Sequence, residues 1–256
     1  LKNKRCIYIG EDVRSGQRGI LDGFVKIFGK DRVVDTPISE SAFCGYAVGL
    51  AINGFRPIVE FNFAGLIFVS LDQIFNQASK FKQMSGNKKD VPILYILPTG
   101  TKGGLAGHHS DNPYSVLAHL GIKSYMPTHV NEVSPIIKYA YKEKEPIALF
   151  LPVEEFRNKY NFKVKTKYPS LNLLIKSILK DKLSIICTGT TISKCLGALN
   201  SIKISQRKMI SFYSLSDLSF SEITKKKLIK IKSKKILIVD DSPGMYGLSA
   251  QIELIL

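Results

Sequence analysis

Apolar residues in this chain fall into short β-branched runs, separated by longer stretches where they recur every three or four positions. The runs Cys6–Gly10, Val33–Asp35, Pro57–Phe61, Pro92–Leu97, Lys123–Met126 and Ala148–Leu151 read as short buried strands. Between them, helical spacing predicts helices over Arg18–Phe28, Ser39–Asn53, Ser70–Gln83, Ser115–His119 and Val130–Lys142. Gly29 and Gly54 sit just past two of these, and Pro57 follows the second, as helix-stop signals do. Strands alternating with helices of this length predict an α/β fold, a parallel sheet with helices on both faces.

From about residue 152 the pattern turns polar and lysine-rich, with aromatic residues and Pro169 interrupting it, which predicts a linker over 153–182. A second, smaller α/β block follows over 183–256. It reads as strands Ser184–Cys187, Met209–Tyr213 and Lys235–Val239, helices Ile192–Ile202 and Ser221–Ile231, and a final helix opening after Gly244. No internal repeat is visible.

Composition narrows the class only slightly. Hydrophobic residues make up 45% and charged residues 23% of the 256 positions, the profile of a soluble globular protein. Glu60 interrupts the apolar stretch from Pro57 to Leu71, and Leu1–Arg5 leads into no hydrophobic segment, so neither a membrane span nor a secretory leader is expected. Cys6, Cys44, Cys187 and Cys195 show no metal-ligand spacing and no redox pair, which suits a reducing cytoplasm. A net charge of +16 raises nucleic acid as a partner. The charge is mostly lysine strewn through Lys142–Lys235, with no interleaved aromatic platform, so a solvated basic surface is the expectation instead.

Candidate chemistry starts at Glu40. The stretch Asp35-Thr36-Pro37-Ile38-Ser39-Glu40 delivers a carboxylate to the first turn of a helix built of small and apolar residues. Burial desolvates such a group while the helix N-terminus partly compensates it. By itself this is most simply a helix-start carboxylate favoured by the dipole. Glu11 reads as a strand-end carboxylate, and His109 as a loop histidine able to titrate near neutrality. The loop Thr99–Gly104 lacks the spacing and the Lys-Ser/Thr ending of a phosphate-binding P-loop, and reads as a mobile active-site loop.

Further motifs occur with these in one order and spacing: Gly10-Glu11-Asp12-Val13, Gly54-Phe55-Arg56-Pro57-Ile58-Val59-Glu60-Phe61, the run Asp72–Lys80, Met84-Ser85-Gly86 and His109-Ser110. In this arrangement the chain resembles the beta subunit of thiamine-diphosphate-dependent 2-oxo acid dehydrogenases of the pyruvate and branched-chain type. The resemblance covers nearly the whole chain and is strongest over residues 7–152. It implies a transketolase-like pyrimidine-binding domain over 1–152 and a transketolase C-terminal-like domain over 183–256, ending in Val239-Asp240-Asp241-Ser242-Pro243-Gly244. Against the family that second domain is short and the chain starts at Leu1, so a truncated chain is the expectation.

The resemblance also implies a chemistry. In the family, the glutamate matching Glu40 hydrogen-bonds a ring nitrogen of the cofactor's aminopyrimidine, driving it to the imino tautomer that deprotonates the thiazolium carbon. The same resemblance puts Ile38 and Leu66 beside Glu40 among cofactor-binding residues. His109 matches a histidine near the substrate and the acyl-accepting lipoyl group, and Glu11 an acidic residue that carries protons between active sites. No Gly-Asp-Gly motif with its downstream asparagine is present. In the family that half, which grips the diphosphate through Mg2+, belongs to an alpha subunit, so an alpha2beta2 heterotetramer with the cofactor at the alpha–beta interface is implied. The metal would be held mainly by the partner, with no metal ligand in this chain. A 2-oxo acid substrate and a lipoyl acyltransferase partner follow from the same likeness.

There are departures. Leu66 stands where an aromatic residue usually packs on the aminopyrimidine, Gly65 where bacterial members often carry aspartate, and Ile96 where an arginine is common. His108 replaces a usual glutamine, and the paired histidines are similar to those of split transketolases. Two alternatives therefore stand beside the dehydrogenase: a split transketolase or acyloin-forming half-enzyme, and a non-catalytic scaffold subunit.

Overall fold

The apolar runs Leu94–Thr99 and Ile147–Pro152 are buried along their whole length on both faces, as the centre of a parallel sheet requires. A computed structural model describes residues 3–16, 23–100, 105–160, 164 and 168–256. The first six strands are β1 (Cys6–Gly10), β2 (Val33–Asp35), β3 (Arg56–Glu60), β4 (Leu94–Thr99), β5 (Lys123–Tyr125) and β6 (Ile147–Pro152). They form one six-stranded sheet in the order β2-β1-β3-β4-β6-β5, every pair parallel. Alternate side chains enter two separate cores. Ile9, Val59, Tyr95, Leu97 and Phe150 share one; Tyr8, Leu94, Ile96, Leu149 and Leu151 share the other.

The helices of this part are α1 (Phe24–Phe28), α2 (Glu40–Ile52), α3 (Phe81–Met84), α4 (Tyr114–His119) and α5 (Val133–Ala140). Phe43, Ala47 and Ala51 of α2 and Leu117 of α4 fill the first core. Phe24 and Phe28 of α1 and Ile136 of α5 fill the second, so helices do cover both faces. The helix expected over Arg18–Phe28 is described only as α1, and positions 18–22 lie outside the described residues.

The helix expected over Ser70–Gln83 is not one regular α-helix. It runs as a 3-10 segment Ala64–Ser70, a π-helical segment Asp72–Ser79 and then α3. Local side-chain bonding accompanies the change: Asn76 donates to Asp72 at 2.7 Å, and Ser79 Oγ donates to the Phe75 carbonyl at 2.7 Å, a contact that bends helices.

The second unit has strands β7 (Leu171–Ile175), β8 (Leu183–Cys187), β9 (Ile210–Leu215) and β10 (Lys235–Val239). Its helices are α6 (Ile192–Ser201), α7 (Ile204–Arg207), α8 (Glu222–Leu228) and α9 (Leu248–Ile255). The strand order is β10-β8-β9-β7, with β7 antiparallel to β9 and the other pairs parallel. Part of the stretch expected to be linker, 153–182, is thus a strand of this sheet. Its ladder to β9 closes over a long sequence separation that the local lysine-rich pattern hides.

The two units share the first core, which continues through Leu171, Leu218, Phe220, Leu248 and Ile252. A buried polar joint reinforces it. Glu132, fully buried, accepts from the Thr128 backbone at 2.8 Å, Thr128 Oγ1 at 2.7 Å, Asn172 at 3.0 Å and Ser216 Oγ at 2.6 Å. A second joint ties Asn112 and Tyr114 to the carboxylates of Asp240 and Asp241. Burial holds the Asp241 carboxyl above its ordinary range, against donors from Thr190 and Tyr114 that pull it down.

Candidate active site

In a parallel sheet, ligand chemistry collects where the loops leave the carboxyl ends of the strands. Four such ends carry the residues singled out by sequence: Glu11 after β1, Glu40 after β2, the turn after β3, and His109 beyond β4. Gly10 makes the first bend possible. A Cβ there would lie 2.5 Å from the Glu60 carbonyl oxygen and 2.9 Å from Val13, so no larger residue fits. The Thr36 N–H donates to the Gly10 carbonyl at 3.0 Å and holds the ends of β1 and β2 together.

Glu40 opens α2, and its residue is only 6% exposed. Its carboxylate meets no hydrogen-bond donor among the described residues, leaving the helix N-terminus as its compensation. Ser41 Oγ donates to the Val69 carbonyl at 2.5 Å, which fixes the first turn of α2 against the 3-10 segment. Around that turn lie exposed apolar side chains: Ile38 is 84% exposed, with Val69 and Phe68 beside it.

Glu11 and Glu40 stand close enough to feel each other's charge. The Glu11 carboxyl is pushed above its ordinary range by burial first, then by Glu40, and less by Asp12, while a hydrogen bond from Asn62 works the other way. Asn62 Nδ2 reaches Glu11 Oε2 at 2.9 Å, and Glu11 Oε1 is buried without a partner. Beneath this rim Tyr8 donates to Glu60 Oε2 at 2.5 Å, so the buried carboxylate at the end of β3 is given a donor within the core.

His109 sits on a 3-10 turn, Gly107–His109, entered through Ala106 in a left-handed conformation with φ 63°. Its Nδ1 lies 3.1 Å from the Leu105 carbonyl. A carbonyl only accepts, so Nδ1 carries the proton, which in the neutral ring makes Nε2 the basic nitrogen. The Phe63 ring meets His109 edge-on at 4.5 Å, and His108 lies 5.5 Å from it. Gly65 supports this turn: a Cβ there would fall 2.7 Å from the His108 carbonyl oxygen. That close approach accounts for glycine where the sequence comparison expected aspartate.

The structure therefore brings Glu11, Glu40 and Asn62 together, and sets His109 against Phe63. Leu66 is half-buried at the edge of the first core, its N–H bonded to the Phe63 carbonyl at 3.1 Å. Asn62 and Phe63 were not singled out by sequence. Asn62 is a polar side chain inside the apolar stretch Pro57–Leu71, and that mismatch is the signal that could have found it. Most of the expected mobile loop, 101–104, lies outside the described residues.

The family profile described as "Transketolase, pyrimidine binding domain" matches residues 1–159, more than half of the chain. The chain belongs to that family. The chain is also similar to beta subunits of 2-oxo acid dehydrogenases. It is 26% identical to the pyruvate dehydrogenase E1 component subunit beta of Leifsonia xyli subsp. xyli, over 97% of this chain and 74% of that one. It is 27% identical to the beta subunit of the acetoin:2,6-dichlorophenolindophenol oxidoreductase of Bacillus subtilis, over 98% of this chain and 78% of the relative. A solved structure titled as a split gene transketolase, inactive beta4 tetramer, superposes with a TM-score of 0.76 at 15% identity, covering 100% of this chain and 79% of that one.

Proposed function

We propose that this chain is the beta subunit of a thiamine-diphosphate-dependent 2-oxo acid dehydrogenase and that Glu40 is its cofactor-activating carboxylate. The observation that carries this is the state of Glu40: buried, at a helix start, and offered no donor by the described residues. A desolvated carboxylate in that condition suits a ring N–H supplied by a bound heterocycle. Thiamine diphosphate, when bound, supplies the electron sink for decarboxylating a 2-oxo acid.

Each residue then has a task in this chain. Glu40 shares a proton with the aminopyrimidine ring and thereby sets its basicity. Glu11, held protonation-prone by burial and by Glu40, stores or passes a proton behind it. His109 presents its Nε2 toward the reacting oxygen as a proton donor or acceptor. Ile38 and Leu66 give apolar contact to the ring, and Phe63 adds the aromatic face that Leu66 lacks.

The site is a half-site. An alpha subunit would bring the diphosphate grip and Mg2+, most simply in an alpha2beta2 heterotetramer. Exposed Ile38, Phe68 and Val69 beside Glu40 are the apolar patch that such a subunit would cover. The proposed division is a pyrimidine-binding domain over 1–152 and a C-terminal domain over 183–256, joined by a connection over 153–182 that lends its strand β7 to the second sheet. A lipoyl acyltransferase is the acyl acceptor in this reading.

A second reading, a split transketolase or acyloin-forming half-enzyme, is favoured by the adjacent His108 and His109 rings and by the acetoin relative. The deciding experiment purifies the chain with its bound partner and assays it against pyruvate and branched-chain 2-oxo acids with an artificial electron acceptor. Turnover lost in Glu40→Gln supports the dehydrogenase. Transfer to an aldehyde without oxidation supports the second reading. Activity unchanged by Glu40→Gln leaves a scaffold subunit.

A further inference from the structure

At the opposite end of the sheet, where β1 and β3 begin and the chain enters β4, a notch of about 380 Å³ opens. Its wall carries Arg5, Arg56, Lys88 and Lys89, a single acid, Asp90, and the ring of Phe55. Four cations around one small cavity is a strong local field even in a chain this basic.

The cations are placed by the fold. The Arg56 N–H donates to the Arg5 carbonyl at 2.9 Å, so both guanidinium-bearing residues start neighbouring strands. Arg56 is clamped: its Nη1 donates to the Glu143 carbonyl at 3.2 Å, and its guanidinium lies 4.9 Å over the Tyr141 ring. Lys89 Nζ reaches the Ile52 carbonyl at 3.3 Å, where the C-terminal end of α2 favours a cation. Asp90 is engaged by lysines outside the notch, Lys82 at 3.5 Å and Lys144 at 3.6 Å. Among the described residues, no carboxylate forms an ion pair with Arg5, Arg56, Lys88 or Lys89.

We propose that this notch binds a small phosphate-bearing molecule, a phosphate monoester or a diphosphate, at a site separate from the Glu40 rim. The two guanidinium groups offer planar forks that match phosphate oxygens, and the lysines add point charge. A volume at the low end of small-molecule pockets (~300–1,000 Å³) suits such a ligand, whereas nucleic acid needs a continuous basic track. The thirteen residues of α2 separate the notch from Glu40 by roughly 20 Å. The proposal does not depend on the assignment of the catalytic site.

The test is calorimetric titration of the full chain with inorganic diphosphate at about 0.15 M salt, where diffuse attraction is screened. One saturable site is expected, with a Kd below about 1 mM. Arg5→Ala and the double change Lys88→Ala with Lys89→Ala should each weaken it about tenfold. These exposed side chains are preferred because Arg56→Ala also removes the Glu143 and Tyr141 contacts and can perturb folding. Lys232→Ala with Lys234→Ala, exposed and outside the notch, should change affinity by less than about twofold. Binding that never saturates, or equal losses in the Lys232/Lys234 control, overturns the proposal; so does a loss under about threefold in both notch variants.

Discussion

Asn62 donates its side-chain amide to one oxygen of Glu11 at 2.9 Å, and the other oxygen of that carboxylate is buried with no partner. The bond joins the tips of β1 and β3. It stabilises the charged form of Glu11 against burial and the nearby Glu40, which both favour the protonated form.

The first prediction concerns pH. Because the fold raises the Glu11 carboxyl, its contribution to stability is fully present below the ordinary glutamate range and is lost as pH rises through the raised value. Glu11→Gln should therefore melt higher than the parent near neutral pH, with the gain vanishing toward about pH 4. Thermal melts across that range check the sign, and a gain that grows on acidification would contradict it. Combining the change with Glu40→Gln should shrink the neutral-pH gain, because one of the causes is then already gone.

Glu40→Gln should lower turnover of the complete enzyme by about 10²–10⁴-fold, the usual worth of a positioned proton-transfer group. The amide keeps the shape and removes the basicity, so circular dichroism and partner binding should stay as in the parent. Steady-state decarboxylation measured beside both controls separates lost chemistry from lost folding.

Gly65→Ala should cost stability and activity together. The added methyl meets the His108 carbonyl oxygen and Asp111, both parts of the turn that carries His109. Overpacking of this kind costs about 1–3 kcal/mol, and relief by moving the turn displaces His109. A lowered melting temperature with reduced kcat is expected, and an unchanged kcat would show that the turn is not part of the reacting geometry.

Glu132→Ala should be among the more damaging single changes in the chain. It leaves donors from Thr128, Asn172 and Ser216 buried without their acceptor. Stranding such groups costs about 1–3 kcal/mol each before relaxation. Denaturant unfolding should show a lower midpoint, with the parent restored more closely by Glu132→Gln, which keeps an acceptor oxygen.

Sequence pattern made β1, β2 and β10 legible to the residue, since each is a short apolar run between clear breaks. The span Ala64–Met84 was not legible as it is. Spacing of apolar residues reports a helix but does not distinguish three, four or five residues per hydrogen-bonded turn. β7 escaped because Leu171–Ile175 is short, sits in a lysine-rich context, and earns its strand geometry from β9, about forty residues on. For the candidate site, Glu40 and Glu11 announced themselves through motifs. Asn62 stood out only as a polar residue in an apolar stretch, and its contact with Glu11, like that of Phe63 with His109, joins separate parts of the chain that local spacing does not relate.

The buried joint at Glu132 also imposes an order in time. Its acceptor oxygens are satisfied partly by Ser216, 84 residues further along the chain. At synthesis rates of about 5–20 residues per second, those residues take on the order of ten seconds to emerge. For that interval the first sheet can assemble and Thr128 can serve one Glu132 oxygen, yet the other must bond to water or a temporary donor in place of Ser216. The nascent chain thus waits, with one carboxylate as its clock, until β9 arrives.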